Sequence, residues 1–132
     1  VVLSFIDSGI LIAAARGNSP RAQLALDILA DSDRVFGSSI FIKLEVLPKS
    51  VCYKQTLESE FYEAFFQGVT HWMSDLETLT QSAYQLACTY GLSGLDALNV
   101  AAAILLEADE FITTEKPTKP MYRVPDIQFV TV

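Results

Sequence analysis

Four carboxylates stand beside apolar segments, where a solvated surface charge is not expected. Asp7 closes the run VVLSFI. Glu45 lies within FIKLEVLPKS, Asp96 within GLSGLDALNVAAAILLEAD, and Glu115 directly follows EFITT. An ionised carboxylate next to a buried segment is costly unless something pairs with it. Each has an ordinary explanation alone. Asp7 can cap the helix after it. Glu45 can pair with Lys49 at i+4, worth ~0.3 kcal/mol. Asp96 fits a capping box with Ser93, and Glu115 can simply lead into a loop. Together the four are harder to dismiss, because capping does not require an acid at the end of every buried element. Converging carboxylates repel unless a cation lies between them. Hard divalent ions such as Mg²⁺ or Mn²⁺ take oxygen ligands and complete their shells with water and substrate phosphate. An ion held this way acidifies water and stabilises charge on a phosphoryl oxygen. No nucleophilic Ser or Cys motif accompanies the acids, so they point to metal-assisted phosphodiester hydrolysis. The GxxxxGK[ST] and GxGxxG loops are absent, which argues against a P-loop NTPase and a Rossmann dinucleotide enzyme. An Asp-phosphorylated receiver needs a pair of acids at the first strand end, and Asp7 stands alone there.

The chain must supply elements that bring these positions together. Its 132 residues suit one domain, 1–132. Residues 1–7 read as a buried strand and 8–15 as a short helix capped by Ser8 and ending near Gly17. Asn18 or Ser19 caps a second helix, with Pro20 in its first turn and an end near Ala30. RVFGSS (34–39) is a strand. Ser38 or Ser39 caps a helix that runs to about Leu47, where Pro48 kinks or ends it. A helix over 55–67, the strand HWM (71–73) and a helix over 76–90 stopped by Gly91 follow. Residues 93–108 form a helix apolar nearly all round, placed in the interior. EFITT (110–114) is a strand, 115–125 a Lys/Pro-rich loop, and IQFVTV a last strand. Short strands alternating with helices predict an α/β fold, a three-layer α/β/α sandwich around a mainly parallel, short-stranded sheet. Ligands of such sheets sit at the carboxyl ends of the strands, where Asp7 lies.

Composition narrows the classes further. Apolar residues make up 51%, yet no run of 18 apolar residues occurs, so no membrane span is expected. No basic n-region with a cleavage site opens the chain. Cys52 and Cys88 form no C-x-x-C pair and lie far from the single His71, which excludes a zinc motif. They read as small core residues in a reducing cytoplasm, a cytoplasmic location being the expectation. The net charge of −7 argues against a broad nucleic-acid-binding face but not against an acidic pocket filled by a cation. Arg16, Lys43, Lys49, Lys116, Lys119 and Arg123 fall in segments that border the acids. They are candidates for a local basic rim that touches an anionic substrate, or else solvated loop charges. Asn99, one helical turn after Asp96, either reaches the same pocket or satisfies a backbone group. His71 reads as structural or surface. Phe61, Phe65, Phe66 and Trp72 read as core ahead of an exposed partner-binding patch.

The motifs SFIDSGILIAAA, FIKLEVLPKS, GLSGLDALNVAAAILLEAD and EFITTE, in this order and spacing, resemble those of PIN-domain ribonucleases, including the toxins of VapBC-type toxin–antitoxin pairs. The resemblance spans essentially the whole chain. It implies a PIN-like fold and a Mg²⁺- or Mn²⁺-dependent endoribonuclease. Asp7, Glu45 and Asp96 match the core acids, and Glu115 stands where the family usually has Asp. Thr113 matches a hydroxyl two residues before that acid, placed to orient a second metal or the attacking water. Ser8 replaces a common Thr. An RNA substrate, an antitoxin partner and a homodimer are implied in the same way. A catalytically weakened scaffold that works by protein binding is the alternative, because Glu115 is one methylene longer than Asp and the chain is acidic.

Overall fold

The computed structural model describes residues 1–132. The elements in chain order are β1 (Val2–Ile6), α1 (Ser8–Arg16), α2 (Pro20–Leu29), β2 (Arg34–Ser39), α3 (Ile40–Cys52), α4 (Thr56–Gln67), β3 (His71–Met73), α5 (Leu76–Tyr90), α6 (Gly94–Leu105), β4 (Glu110–Thr113), a 3-10 turn (Pro120–Arg123) and β5 (Phe129–Thr131). The strands form one sheet in the order β3-β2-β1-β4-β5, and all four pairings are parallel. The chain walks outward from β1 through β2 to β3, then returns to the other side for β4 and β5. Right-handed crossovers therefore place α1–α4 on one face and α5 and α6 on the other. The helix contacts agree: α1 packs with α2, α3 and α4, and α5 with α6. The predicted three-layer architecture is the one observed. No single helix is long and apolar enough to cross a membrane.

Sheet and helices meet in a core where Phe5, Ile6, Phe111 and Ile112 are fully buried. The β1–β4 register sets Phe5 opposite Phe111 and Ile6 opposite Ile112, and the two Phe rings stack at 5.4 Å. Helix α6 buries Ala97 and the run Val100–Ala103, and its small side chains let it lie close to the sheet. The reversal of winding falls between β1 and β4, so the carboxyl ends of these strands open a crevice at a topological switch point.

Several sequence expectations need correction. The cap of α1 is Asp7, whose side chain accepts from the Ser8 N–H; Ser8 is thereby left free for another partner. Helix α3 does not end at Leu47 but runs through Pro48 to Cys52. Proline inside a helix costs on the order of 3 kcal/mol. The turn beyond it is held by burial of Leu47 and Ser50, with Ser59 Oγ donating to Ser50 Oγ at 2.8 Å from α4. Cys52 and Cys88 are free and exposed rather than core residues; both fall on helix surfaces turned to solvent. Of the aromatic group, Phe61, Phe65 and Phe66 are only half-buried and Trp72 is exposed, because β3 is an edge strand with nothing beyond it. Helix α6 stops at Leu105 rather than near residue 108, and the last strand covers only Phe129–Thr131.

The start of α1 lies so close to the end of β4 that Gly9 has no room for a side chain. An added Cβ would stand 2.1 Å from Thr114 Oγ1 and 3.3 Å from its Cβ. We expect Gly9→Ala to lower stability by about 1–3 kcal/mol through overpacking, despite the better helix propensity of Ala. Thermal unfolding of Gly9→Ala with Thr114→Ala should recover most of that loss. Equal losses in the single and double variants would show that the approach of α1 to β4 is not the constraint.

Candidate functional site

The register that pairs β1 with β4 decides where Asp7 goes. Its N–H donates to Ile112 O at 3.0 Å, continuing the ladder one residue past β1. Its carboxylate is then held from two sides. Thr113 Oγ1 donates to Oδ2 at 2.7 Å, and the Ser8 N–H donates to Oδ1 at 2.9 Å. Thr113 is fully buried and also accepts the Glu115 N–H at 3.0 Å. It therefore stands behind Asp7, fixing that side chain and the start of the following loop together.

Glu45 reaches the same place from α3. Ser8 Oγ donates to its Oε2 at 2.9 Å, and Asn99 Nδ2 to its Oε1 at 3.1 Å. These bonds, not an ion pair with Lys49, occupy Glu45. They settle the two options for Asn99 in favour of the pocket. Asp96 comes from the first turn of α6, which Ser93 caps through the Asp96 N–H at 3.3 Å. Glu115 follows β4. Both acids meet Lys119, whose Nζ lies 3.3 Å from Asp96 Oδ2 and 3.8 Å from Glu115 Oε2. Four elements that lie far apart in sequence thus bring the four predicted acids to the carboxyl-end edge of the sheet as two linked pairs: Ser8 joins Asp7 to Glu45, Lys119 joins Asp96 to Glu115, and Thr113 ties Asp7 to the Glu115 backbone. Sequence reasoning missed Ser8 as the donor that links Asp7 and Glu45. The signal was present in the Asp-Ser pair, since an Asp cap leaves the next hydroxyl unspent.

The predicted basic rim is mostly elsewhere. Arg16, at the far end of α1 from Asp7, is engaged by Glu58 of α4, which also accepts from Tyr62 Oη at 2.6 Å. Lys43 lies over the Phe66 ring, 6.0 Å from its centroid, in a surface groove with Leu47 and Trp72. Arg123 donates to Tyr90 O at the end of α5. Lys49 and Lys116 are exposed without ion pairs. His71 is exposed and pairs only with Thr70.

Burial makes Asp7 unlike an ordinary aspartate. Only 7% of it is exposed. Desolvation pushes its pKa from 3.8 up to about 6, partly opposed by the Thr113 and Ser8 hydrogen bonds and reinforced by the negative charges of Glu45 and Glu115. Lys119 is shifted upward mainly by the charge of Asp96, and then by its hydrogen bond to that residue and the charge of Glu115. Half-exposed ion pairs such as these are worth ~0–1 kcal/mol each.

A hard divalent cation fits this donor set chemically. The acids offer only oxygen, Asp7 is desolvated by burial and pairs directly with no cation, and Asn99 Oδ1 is buried with no partner. No three acidic, His or Cys side chains are gathered to hold an ion by themselves. An ion bound here would take one or two of these carboxylates directly and complete its shell with water, as Mg²⁺ usually does.

No protein-family model and no curated protein matches the chain. Solved structures do match it over nearly its whole length. A chain of VapBC2 from Rickettsia felis, bound to a promoter DNA fragment, superposes with a TM-score of 0.75 at 15% identity, covering 98% of each chain. A chain of a toxin–antitoxin complex from Klebsiella pneumoniae gives 0.72 at 21% identity, over 97% of this chain and 96% of that one. A chain of VapBC-1 from nontypeable Haemophilus influenzae gives 0.70 at 18% identity, over 98% and 97%. At these identities the likeness establishes the fold, which is the VapC-like PIN fold that the motifs suggested.

Ionising Asp7 costs the folded state more than the unfolded one. The penalty is absent below about pH 4, grows as pH rises through the interval from 3.8 to about 6, and is complete above it. The shift corresponds to about 3 kcal/mol as an upper bound. Asp7→Asn is therefore expected to stabilise the metal-free protein by about 1–3 kcal/mol at pH 7.5, the gain vanishing toward pH 4. Denaturant titrations at both pH values in EDTA would check this. A gain that grows as pH falls would contradict the burial argument.

Proposed function

We propose that this chain is a metal-dependent endoribonuclease that hydrolyses RNA phosphodiester bonds, and that it acts as the toxin of a toxin–antitoxin pair. The observation that carries this reading is the convergence of Asp7, Glu45, Asp96 and Glu115, from four separate elements, on the crevice at the switch point of a VapC-like fold. Asp7, Asp96 and Glu45 would hold a Mg²⁺ or Mn²⁺ ion, directly or through water, with Glu115 at the outer edge. Such an ion supplies Lewis-acid stabilisation of phosphoryl charge and acidifies water. The chain's own residues do the rest. Thr113 and the Ser8 N–H fix the Asp7 carboxylate in one orientation. Ser8 Oγ and Asn99 hold the two oxygens of Glu45. Pre-set ligands of this kind need no reorganisation when substrate arrives. Lys116, exposed on the loop after Glu115, and Lys49 are the proposed contacts to the RNA backbone.

An antitoxin is the proposed partner, since the matched chains come from toxin–antitoxin and VapBC complexes. A homodimer and a cytoplasmic location belong to the same proposal. One observation favours the alternative of a protein-binding scaffold with weakened catalysis: Asp96 and Glu115 are turned to Lys119 rather than to each other.

Cleavage of a single-stranded RNA pool, with Mn²⁺ or Mg²⁺ against EDTA, separates the two. The enzyme reading expects divalent-dependent cleavage that Asp7→Asn or Asp96→Asn abolishes while both variants stay folded by circular dichroism. Asn99→Ala, which frees one oxygen of Glu45, should cost on the order of 10–100-fold in metal affinity or activity. Cleavage that survives Asp7→Asn intact would sink the assignment.

A further inference from the structure

Lys119 is the one basic side chain paired with any of the four acids. A lysine on a loop can reach many places, but the backbone that carries this one is tied down. Its N–H donates to Lys116 O at 3.0 Å, and its carbonyl accepts the Tyr122 N–H at 3.2 Å. Tyr122 Oη donates in turn to Glu115 O at 2.7 Å and pairs with Thr131 Oγ1 at 2.9 Å on β5. Pro120 follows directly with its fixed φ, and Met121 is buried in the core. The loop is thereby closed on the residue that carries the fourth acid, and the ammonium is delivered between Asp96 and Glu115.

The charge balance gives this placement a purpose. Asp7, Glu45, Asp96 and Glu115 repel one another; Arg16, Lys43 and Arg123 are engaged elsewhere, and Lys49 and Lys116 are exposed and pair with none of the four. We propose that Lys119 is the counter-cation of the site. Its ammonium holds Asp96 and Glu115 when no divalent ion is bound and withdraws when one binds, so that lysine and metal compete for the same carboxylates. This rests on the metal-site reading above and adds a residue that sets metal affinity from outside the ligand set. The single charge at the tip of a flexible stem is suited to this, since it satisfies the acids without closing the crevice. A ligand that draws Lys119 away, an anionic substrate included, tightens metal binding, and by the reciprocity of linked equilibria the metal tightens that ligand's binding by the same factor.

The test is calorimetric titration of Mn²⁺ into the full chain, as wild type, Lys119→Gln and Lys119→Arg, at low ionic strength. Lys119→Gln should bind Mn²⁺ roughly three- to five-fold more tightly, the worth of one partly exposed ion pair. Lys119→Arg, which keeps the charge, should stay near wild type. Mn²⁺ should also raise the melting temperature of Lys119→Gln by more than that of wild type. Binding seen only in Lys119→Gln would support the proposal in its strongest form. Equal or weaker binding by Lys119→Gln, or tighter binding by both variants alike, would overturn the counter-cation role and leave the metal site standing. No Mn²⁺ binding by any of the three would overturn both.

Discussion

A carboxylate held at the end of a buried strand is the constraint around which this structure is arranged. Asp7 cannot be solvated by water where it lies, so the protein must supply its hydrogen bonds. The Thr113 hydroxyl and the Ser8 N–H do so. Each comes from an element whose position is fixed for other reasons. Thr113 ends β4, whose register against β1 is set by the stacked Phe5 and Phe111. Ser8 begins α1, which can start where it does only because Gly9 lets it lie against Thr114. Even with these partners the acid's pKa stays raised to about 6. The fold thus carries an unfavourable charge at the place where a cation would be most welcome, a pattern common at functional sites.

The remaining acids extend the same problem. Glu45, Asp96 and Glu115 arrive from both helical layers and from the strand beside β1, each with a polar neighbour that limits how far it can turn away. Ser8 serves twice, its N–H on Asp7 and its hydroxyl on Glu45. A helix cap, a strand end and a carboxylate clamp are combined in two adjacent residues. Glu115 is met by a loop that carries its own cation to it.

Much of this was legible from residue order. The alternation of short apolar strands with helices determined the architecture, because period and turn chemistry are local properties. The expected elements all appear, and their errors are at the ends. Pro48 illustrates why. Its local preference ends α3 at Leu47, but packing of Leu47 and Ser50 against α4 carries the helix to Cys52. The cysteines fall on helix surfaces turned to solvent, while Phe61, Phe65 and Phe66 pack against the core only in part and Trp72 on the edge strand is exposed. Hydrophobicity says that a residue would bury well, not whether the fold has an interior to offer where it lies.

Sequence by itself determined that four acids would lie in or beside apolar elements, three of them at or near an element's end and Glu45 within a helix. It also determined, through their order and spacing, that a parallel sheet would gather those ends at one edge. A charge in an apolar context is visible in a linear string. Only the tertiary structure decided which groups hold the acids: Ser8 over Glu45, Thr113 behind Asp7, Asn99 reaching across from α6, and Lys119 between Asp96 and Glu115. These partners are separated by up to 106 residues. Strand register and loop closure bring them within hydrogen-bonding distance, and neither is encoded in the neighbours of any one residue.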